Sequence, residues 1–150
     1  MLTRTMDMSL TPIGVVKNSI KEPGTDDWQT AVCEIVVNED LKEALSRIEE
    51  VSHIIVLYWM HKVSPSRRLV MRVHPRGRQD LPLVGVLATR SPAHPNPIGV
   101  STVKLLERRD NVLKVMGLDA VDGTPVLDIK PYIPGYDSPA KAKTPGWVTK

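Results

Sequence analysis

The sequence contains few aromatic residues and very little cysteine. Phenylalanine is absent, aromatic residues make up 4% of the 150 residues, and Cys33 is the single cysteine. One cysteine excludes an intrachain disulfide and a cluster of thiolate metal ligands. Because Cys33 lies in the apolar run A-V-C-E-I-V-V, we predict that its side chain is a small buried hydrophobic group.

Long apolar runs are also absent. No run approaches the roughly 18 residues that a membrane-spanning helix requires. The first residues, M-L-T-R-T-M-D-M-S, lack the apolar segment of a signal peptide. We therefore expect a cytoplasmic protein with no membrane partner.

Several motifs of familiar enzymes do not occur in the chain. There is no G-x-G, no Walker loop, no H-E-x-x-H and no C-x-x-C. A conventional methyltransferase carries a glycine-rich turn after its first strand, so the sequence excludes that fold. The histidines at positions 53, 61, 74 and 94 fit no familiar metal-binding spacing, and we predict no metal site. A cofactor site must then be built from loops at strand ends.

The charge of the chain is unevenly distributed, although its composition is that of an ordinary globular domain with 41% hydrophobic residues. Residues 1–61 carry five basic and ten acidic side chains, whereas residues 62–150 carry fifteen and seven. Between Lys62 and Arg78 there are six basic residues and no acid. This segment suits a polyanion such as RNA, and a solvated cationic face would show the same composition.

Short apolar runs rich in β-branched residues alternate with turn signals along most of the chain, and they predict strands. The first run contains Pro12 and indicates an edge strand. The third is apolar almost throughout and indicates a central strand covered on both faces. The predicted strands are 10–17, 30–37, 53–60, 69–73, 83–88, 98–107, 112–118 and 126–130.

One segment has the pattern of an α-helix. Asp40 and Glu43 form a potential capping box, and apolar residues recur behind them with helical spacing. We predict a helix from Asp40 to near Glu50. Its apolar stripe consists of Leu41, Ala44, Leu45 and Ile48.

Many short strands with one helix indicate a mainly β protein closed into a barrel. We predict an N-terminal arm over residues 1–9, the barrel domain over 10–137 and a C-terminal tail over 138–150. The segment after Lys130 carries four prolines and two glycines, which predict an extended tail without regular structure. Trp147 in this tail is expected to be anchored either on the body of the domain or on a partner subunit.

Residues 88–101, A-T-R-S-P-A-H-P-N-P-I-G-V-S, form a proline-rich segment between two predicted strands. Its three prolines fix three backbone angles and favour extended geometry at the residues before them. A stiff loop of this kind can present Arg90, Ser91, His94 and Asn96 to a ligand with little entropy left to lose. A connector that only turns a corner would have the same prolines, so both interpretations stay open at this point.

The proline-rich string resembles the signature of the TsaA-like family over residues 10–137. Further matching blocks are P-I-G-V-V at Pro12, S-H-I-I-V-L-Y-W-M-H-K from Ser52, H-P-R-G at His74 and L-D-A-V-D-G-T-P-V-L-D-I-K-P-Y from Leu118. The resemblance implies a single-sheet β-barrel and a homodimer with the cofactor near the subunit interface. It also implies methylation by S-adenosyl-L-methionine of N6 of threonylcarbamoyl-adenosine at position 37 of tRNA, next to the anticodon.

The resemblance also implies which residues contact the cofactor. Among them, Arg90 is the best single candidate, because turn chemistry does not explain a cation directly before a proline-stiffened loop. His61 and Lys62 could instead simply end a buried strand, and Asp122 and Gly123 could form an ordinary turn. The implied cofactor contacts are Pro23, Gly24, Thr25, His61, Lys62, Arg90, Val100, Asp122, Gly123, Thr124 and Pro125.

The implied reaction is a direct displacement in which the substrate nitrogen attacks the methyl carbon and loses a proton. Asp128, Tyr132 and Tyr136, on or after the last predicted strand, are the candidates to orient that nitrogen or accept its proton. His94 replaces an arginine of the family pattern, so a phosphate contact could come from Arg76 or Arg78 instead. Two alternatives remain: a non-catalytic barrel that binds the cofactor or RNA as a sensor or accessory factor, and a small-molecule methyltransferase.

Overall fold

Six antiparallel strands close into one barrel, which confirms the predicted single-sheet architecture. The computed structural model describes residues 7–23 and 27–149. The barrel order is β1-β2-β7-β6-β3-β8, and β4 pairs with β5 in a separate two-stranded sheet. The strands are β1 Gly14–Lys17, β2 Val32–Val37, β3 His53–Trp59, β4 Arg72–Val73, β5 Val84–Gly85, β6 Ile98–Arg109, β7 Val112–Met116 and β8 Pro125–Pro131.

The core lies inside the barrel and is formed by alternate residues of each strand. In β3 the side chains of Ile54, Val56 and Tyr58 point inward and are at most 4% exposed. The outer side chains of β3 are half-buried, so the predicted covering of both faces is only partial. Cys33 is buried as predicted, and burial raises the pKa of its thiol to about 11.

The first strand is not at an edge, contrary to the sequence prediction. β1 pairs with both β2 and β8. Pro12 lies before the strand begins, so its missing N–H costs no strand hydrogen bond. Gly14 permits the close approach of β1 to β2, because a Cβ there would lie 2.5 Å from the Val36 carbonyl oxygen.

The predicted α-helix over 40–50 is wrong. The segment forms two 3-10 helices, Glu39–Leu45 and Ile48–Glu50, and neither has a side-chain cap hydrogen bond. Arg47 adopts a left-handed conformation with φ of 70°, which interrupts any α-helical ladder. The apolar stripe still identifies the packed face, since Leu41, Leu45 and Ile48 contact the core.

The predicted strands 69–73 and 83–88 shrink to β4 and β5, which contain two residues each. The flanking residues form short 3-10 helices, Pro65–Leu69 and Val86–Ala88. The two short strands pair only with each other, and the segment around them buries some apolar side chains, Leu81 and Val86. Others are exposed: Leu69 by 75%, Met71 by 71% and Leu87 by 78%.

The C-terminal segment is not wholly irregular. It contains one short α-helix, α1 Pro134–Asp137, and a 3-10 helix, Gly146–Val148. Arg76 donates a hydrogen bond of 3.0 Å to the Trp147 carbonyl oxygen, so the tail returns to the body of the same chain. Of the predicted N-terminal arm, only residues 7–9 are described, and they are exposed. Within the described ranges, every helix is too short or too polar to cross a membrane.

Candidate functional site

The loops between strands gather at one end of the barrel, here called the loop end. There β1, β3 and β7 finish and β2, β6 and β8 begin. Most residues that the resemblance assigned to the cofactor lie in these loops, including His61, Lys62, Arg90 and the turn from Asp122 to Pro125. Pro23 lies there too, whereas Gly24 and Thr25 fall outside the described residues.

Asp122 is held by three hydrogen bonds to the loop that follows β1. Its carboxylate accepts a hydrogen bond of 2.8 Å from Lys21 Nζ and one of 3.0 Å from the Asn18 amide. Its own amide donates to the Ile20 carbonyl at 2.6 Å. The bonds from Lys21 and Asn18 lower the pKa of Asp122, so this carboxylate stays ionised and joins the two loops.

The rest of this turn is partly buried and partly open. Thr124 is 2% exposed, and its hydroxyl donates to the Val121 carbonyl at 2.7 Å. Gly123 has φ of 82°, and a Cβ there would meet nothing within 4 Å. The Gly123 amide is also engaged, because it donates to the Val16 carbonyl at 2.8 Å. Thr124 and this bond therefore fix the turn, and the open space beside the Gly123 Cα is what a ligand could approach.

Lys62 connects the end of β3 with the same two loops. Its Nζ donates to the Lys21 carbonyl oxygen and lies 3.4 Å from a carboxylate oxygen of Glu22. Lys62, Lys21 and Asp122 thus form one connected set of polar groups. The structure thus brings two predicted positions, Lys62 and Asp122, to the same loop, where they contact Lys21, a residue that was not predicted.

The proline-rich loop, residues 89–97, is stiffened by its own side chains as well as by its prolines. The Thr89 hydroxyl donates to the Val86 carbonyl at 2.8 Å and accepts from the Ser91 amide at 3.1 Å. His94 Nε2 donates to the Thr89 carbonyl at 3.0 Å across the loop. His94 therefore stabilises the conformation of the loop by linking its middle to its first residue.

Arg68 attaches this loop to the barrel. Its Nε donates to the Pro95 carbonyl at 2.8 Å, and its guanidinium lies 5.4 Å from the centre of the Trp59 ring. The Met60 amide donates to the Pro97 carbonyl at 2.8 Å beside it. The sequence assigned Arg68 only to a cationic segment and gave no signal for this contact.

Other cations of that segment also make contacts within the chain. Lys62 and Arg76 donate to backbone carbonyls, and Arg78 is paired with Asp80. The two alternative phosphate contacts proposed from the sequence are therefore already engaged. Arg67 and Arg72 are exposed and have no such partner among the described residues.

Arg90 is exposed at the start of the proline-rich loop. Among the described residues it has no hydrogen-bond or ion-pair partner. Its charge acts on the buried hydroxyl of Tyr58: burial raises the pKa of Tyr58, and Arg90 partly opposes that rise. Sequence reasoning missed Tyr58, whose hydroxyl donates to the Asp119 carbonyl at 2.8 Å. The available signal was one tyrosine within an otherwise apolar strand.

Four of the predicted residues are not brought to this cluster within one chain. Val100 lies on the outside of β6 and is 41% exposed. Asp128 lies along β8 and is paired with Lys130 at 2.9 Å. Tyr132 contacts His53 at the other end of β3, with ring centres 6.5 Å apart, and Tyr136 is 81% exposed. Strand β3 has seven residues and spans about 20 Å at roughly 3.3 Å per residue, so Tyr132 is far from the loop end.

Two shallow grooves contain none of the predicted site residues, although the second is also bordered by Asn18, whose amide donates to Asp122. One, of about 520 Å³, is bordered by Lys42, Glu43 and Arg108, and the other, of about 300 Å³, by Lys17, Cys33 and Lys114. Neither is lined by a residue that the resemblance assigned to the cofactor. In the described residues, no group of three His, Cys, Asp or Glu side chains is arranged to hold a metal ion.

Comparison with known proteins identifies the family. The sequence matches the model of the tRNA-methyltransferase O N-terminal domain over residues 17–138. An S-adenosyl-L-methionine-binding protein of Archaeoglobus fulgidus is 46% identical over 134 residues, which cover 87% of this chain and 93% of that protein. A second protein of that organism, named a probable S-adenosyl-L-methionine-binding protein, is 44% identical over 146 residues, and the chain spans 38% of its length.

Solved structures share the same barrel. The crystal structure of TrmO from P. aeruginosa has a TM-score of 0.76 and 32% identity; the match covers 96% of this chain and 63% of that one. A further crystal structure of TrmO has a TM-score of 0.75 and 34% identity, with 64% of its length covered. The chain thus spans less than two thirds of these structures. Its sequence and its barrel place it in the tRNA-methyltransferase O (TrmO) family.

Proposed function

We propose that the chain is an S-adenosyl-L-methionine-dependent methyltransferase that modifies N6 of threonylcarbamoyl-adenosine at position 37 of tRNA. The observation that carries the proposal is the family match over residues 17–138. The loop end supports it, because Lys62 and Asp122 both bond to the loop after β1, and Arg90 begins the proline-rich loop at the same end of the barrel.

The cofactor's chemistry fits this end of the barrel. Arg90 offers a guanidinium fork to the cofactor carboxylate. The Gly123 turn and the carbonyls of the neighbouring loops offer backbone groups to the adenine edge, the ribose and the sulfonium. The proline-rich loop holds Arg90 in place before binding, which reduces the entropy lost on complex formation.

The proposed tRNA substrate agrees with the remaining positive charge beside the loop end. Arg67 and Arg72 are exposed cations on the segment that contains β4. Lys62, Arg68 and Arg76 bond to carbonyl oxygens and so keep their net charge. Phosphate groups are attracted by such a field without any need for base-specific contacts.

We further propose a homodimer with the cofactor near the subunit interface. One chain leaves Lys62, Arg90 and Gly123 exposed to solvent, and a second chain would cover them. The outer surface of β6 carries half-exposed Ile98 and Val100, which are suitable for an apolar contact. In such a dimer, Asp128, Tyr132 and Tyr136 of one chain can approach the loop end of the other.

A second candidate function is cofactor binding without catalysis. The observation that favours it is the distance within one chain between the candidate proton acceptor Tyr132 and the loop end, since Tyr132 contacts His53 at the opposite end of β3. It is also in line with the Archaeoglobus fulgidus relative, which is named only as a binding protein.

Mass spectrometry of nucleosides distinguishes the two functions. The protein and S-adenosyl-L-methionine are incubated with tRNA that carries threonylcarbamoyl-adenosine, and with the same tRNA lacking this modification. A methylated product in the first reaction alone supports the proposed enzyme. Cofactor binding by calorimetry without any product supports the binding protein, and absence of binding contradicts both.

A further inference from the structure

Tyr58 occupies a fixed position inside the barrel, one residue before β3 ends. It lies opposite Gly99 of β6 in the strand register. A Cβ on Gly99 would lie 2.2 Å from Cε2 of the Tyr58 ring, so the ring rests directly on the glycine. A larger residue at position 99 would displace the ring, and the pair therefore fixes where the tyrosine hydroxyl points.

The hydroxyl of Tyr58 joins two further parts of the loop end. It donates to the Asp119 carbonyl at 2.8 Å and lies 3.1 Å from the Ser101 hydroxyl, which then acts as donor to it. Asp119 begins the segment 119–124, which ends in the turn assigned to the cofactor. Asn18 donates to the next carbonyl, that of Ala120, at 2.8 Å. The segment is thus held by Tyr58 of β3 and by Asn18 of the loop that follows β1.

Ser101 lies near the start of β6, which directly follows the proline-rich loop that carries Arg90. The Tyr58 hydroxyl therefore joins the start of β6 to the segment 119–124. We infer that Tyr58 is a positioning residue, whose hydroxyl holds the segment 119–124 against the start of β6 and so prearranges the cofactor site. The inference rests on the proposed function only for the identity of the ligand, S-adenosyl-L-methionine.

The test is Tyr58→Phe, which keeps the ring over Gly99 and removes the hydroxyl. We expect the Kd for S-adenosyl-L-methionine, measured by calorimetry, to rise about tenfold, as for the loss of one buried hydrogen bond. In the methylation assay the KM for the cofactor should rise by a similar factor. The kcat should stay within about twofold, because saturating cofactor restores the arrangement.

A matched control is Asn111→Ala. Asn111 also makes a side-chain hydrogen bond to a backbone carbonyl, that of Val37 at 2.7 Å, but at the opposite end of the barrel. Its loss should lower the melting temperature and leave the cofactor Kd unchanged. Ser101→Ala, which keeps the bond from Tyr58 to Asp119, should raise the Kd less than Tyr58→Phe does.

The outcomes are separable. If the wild-type chain binds no cofactor, the proposed function fails. If the wild type binds it and Tyr58→Phe binds equally well, the inference about Tyr58 fails alone. Should Tyr58→Phe not fold, hydrogen exchange of the ligand-free wild type decides: protected amides of Asp122 and Gly123 support a prearranged site. If these amides become protected from exchange only when the cofactor is bound, the inference of a prearranged site is wrong.

Discussion

At the scale of single residues, Arg90 combines an unpaired guanidinium with a stiff loop. Lys62, Arg68 and Arg76 are each engaged by a carbonyl of the chain, whereas Arg90, like Arg67 and Arg72, is exposed and unpaired among the described residues. Of these three, Arg90 alone lies in the proline-rich loop. An exposed, unpaired guanidinium on a rigid loop does not stabilise the fold. Its contribution is expected in ligand binding.

The first prediction therefore concerns Arg90→Gln. Arg90 is the proposed charged donor to the cofactor carboxylate, so its removal should raise the Kd for S-adenosyl-L-methionine by about 10- to 100-fold. The free energy of unfolding should change by less than about 0.5 kcal/mol, because the side chain is exposed. Calorimetry and urea unfolding measure the two quantities. Arg47→Gln, at the other end of the barrel, is the control, and equal Kd values for both variants would contradict the assignment.

The second prediction concerns the pH dependence of stability. Burial raises the pKa of the Cys33 thiol from 9.0 to about 11 in the folded chain. The contribution of this group is fully present below pH 9 and is lost as the pH rises through the folded pKa, because the unfolded thiol ionises first. Between pH 9 and pH 11 the loss should approach about 2 to 3 kcal/mol. Urea unfolding of wild type and Cys33→Ala isolates it; the variant should lack this part of the decline, and identical pH profiles would exclude it.

Family motifs could identify residues of the site from the sequence because they are local strings, whereas their three-dimensional neighbours are not. Lys62, Arg90 and Asp122 were assigned from such strings and do lie at one end of the barrel. Tyr132 follows the last strand, but the direction of that strand places it at the end opposite the loop end, and its catalytic role stays a prediction. The sequence marks Tyr58 only as one tyrosine in an apolar strand, and it gives no signal for the partner Asp119, which is 61 positions away.

At the scale of elements, the strands that join the barrel were predictable and the other elements were not. The runs of β2 and β3 are β-branched or apolar almost throughout, which predicts strands, and in the structure their alternate residues face the core. The runs around β4 and β5 have the same β-branched composition but no barrel neighbour, so they pair for only two residues. Local composition indicates the tendency to extend, and strand pairing determines how far a strand extends.

The third prediction tests the break between the two 3-10 helices. Arg47 has φ of 70°. A residue with a Cβ atom is destabilised in this left-handed conformation, whereas glycine is not. Arg47→Gly should therefore raise the free energy of unfolding by about 0.5 to 1 kcal/mol, less a small loss from its exposed pair with Glu50.

The control for this prediction is Glu43→Gly, a position of the first 3-10 helix with ordinary geometry. It should lower the free energy of unfolding. In a continuous α-helix both glycines would be destabilising, by about 1 kcal/mol each. A lower urea midpoint for Arg47→Gly than for the wild type would thus contradict an interruption between the two 3-10 helices at Arg47.

At the scale of the whole molecule, charge is divided between the two ends. The 3-10 helices of residues 39–50 carry Glu39, Asp40, Glu43, Glu49 and Glu50 and lie at the end opposite the loop end. The exposed arginines lie on the segment around β4. A polyanion approaching such a molecule is attracted to one end and repelled from the other, which orients it before contact.

The fourth prediction follows from this polarity. The affinity for tRNA should fall steeply with salt, and Arg67→Gln with Arg72→Gln should reduce the slope of log affinity against log salt by about one to two. The matched control is Lys42→Gln with Arg47→Gln, which removes two cations from the acidic end. Filter binding at several salt concentrations gives the slopes. Equal slopes for the two double variants would indicate that Arg67 and Arg72 do not contact tRNA phosphates.

Strand β8 is the only described strand that bridges β3 and β1, and it is also the last strand of the barrel in the chain. During synthesis, the first three barrel strands must therefore wait for residues 125–131 before the cylinder can close. Such distant pairing makes folding slow and cooperative, because most of the loop-closure entropy is paid before the final contacts form. A nascent chain stalled before β8 would expose two unsatisfied strand edges, and it is at this stage that the polypeptide most needs a chaperone.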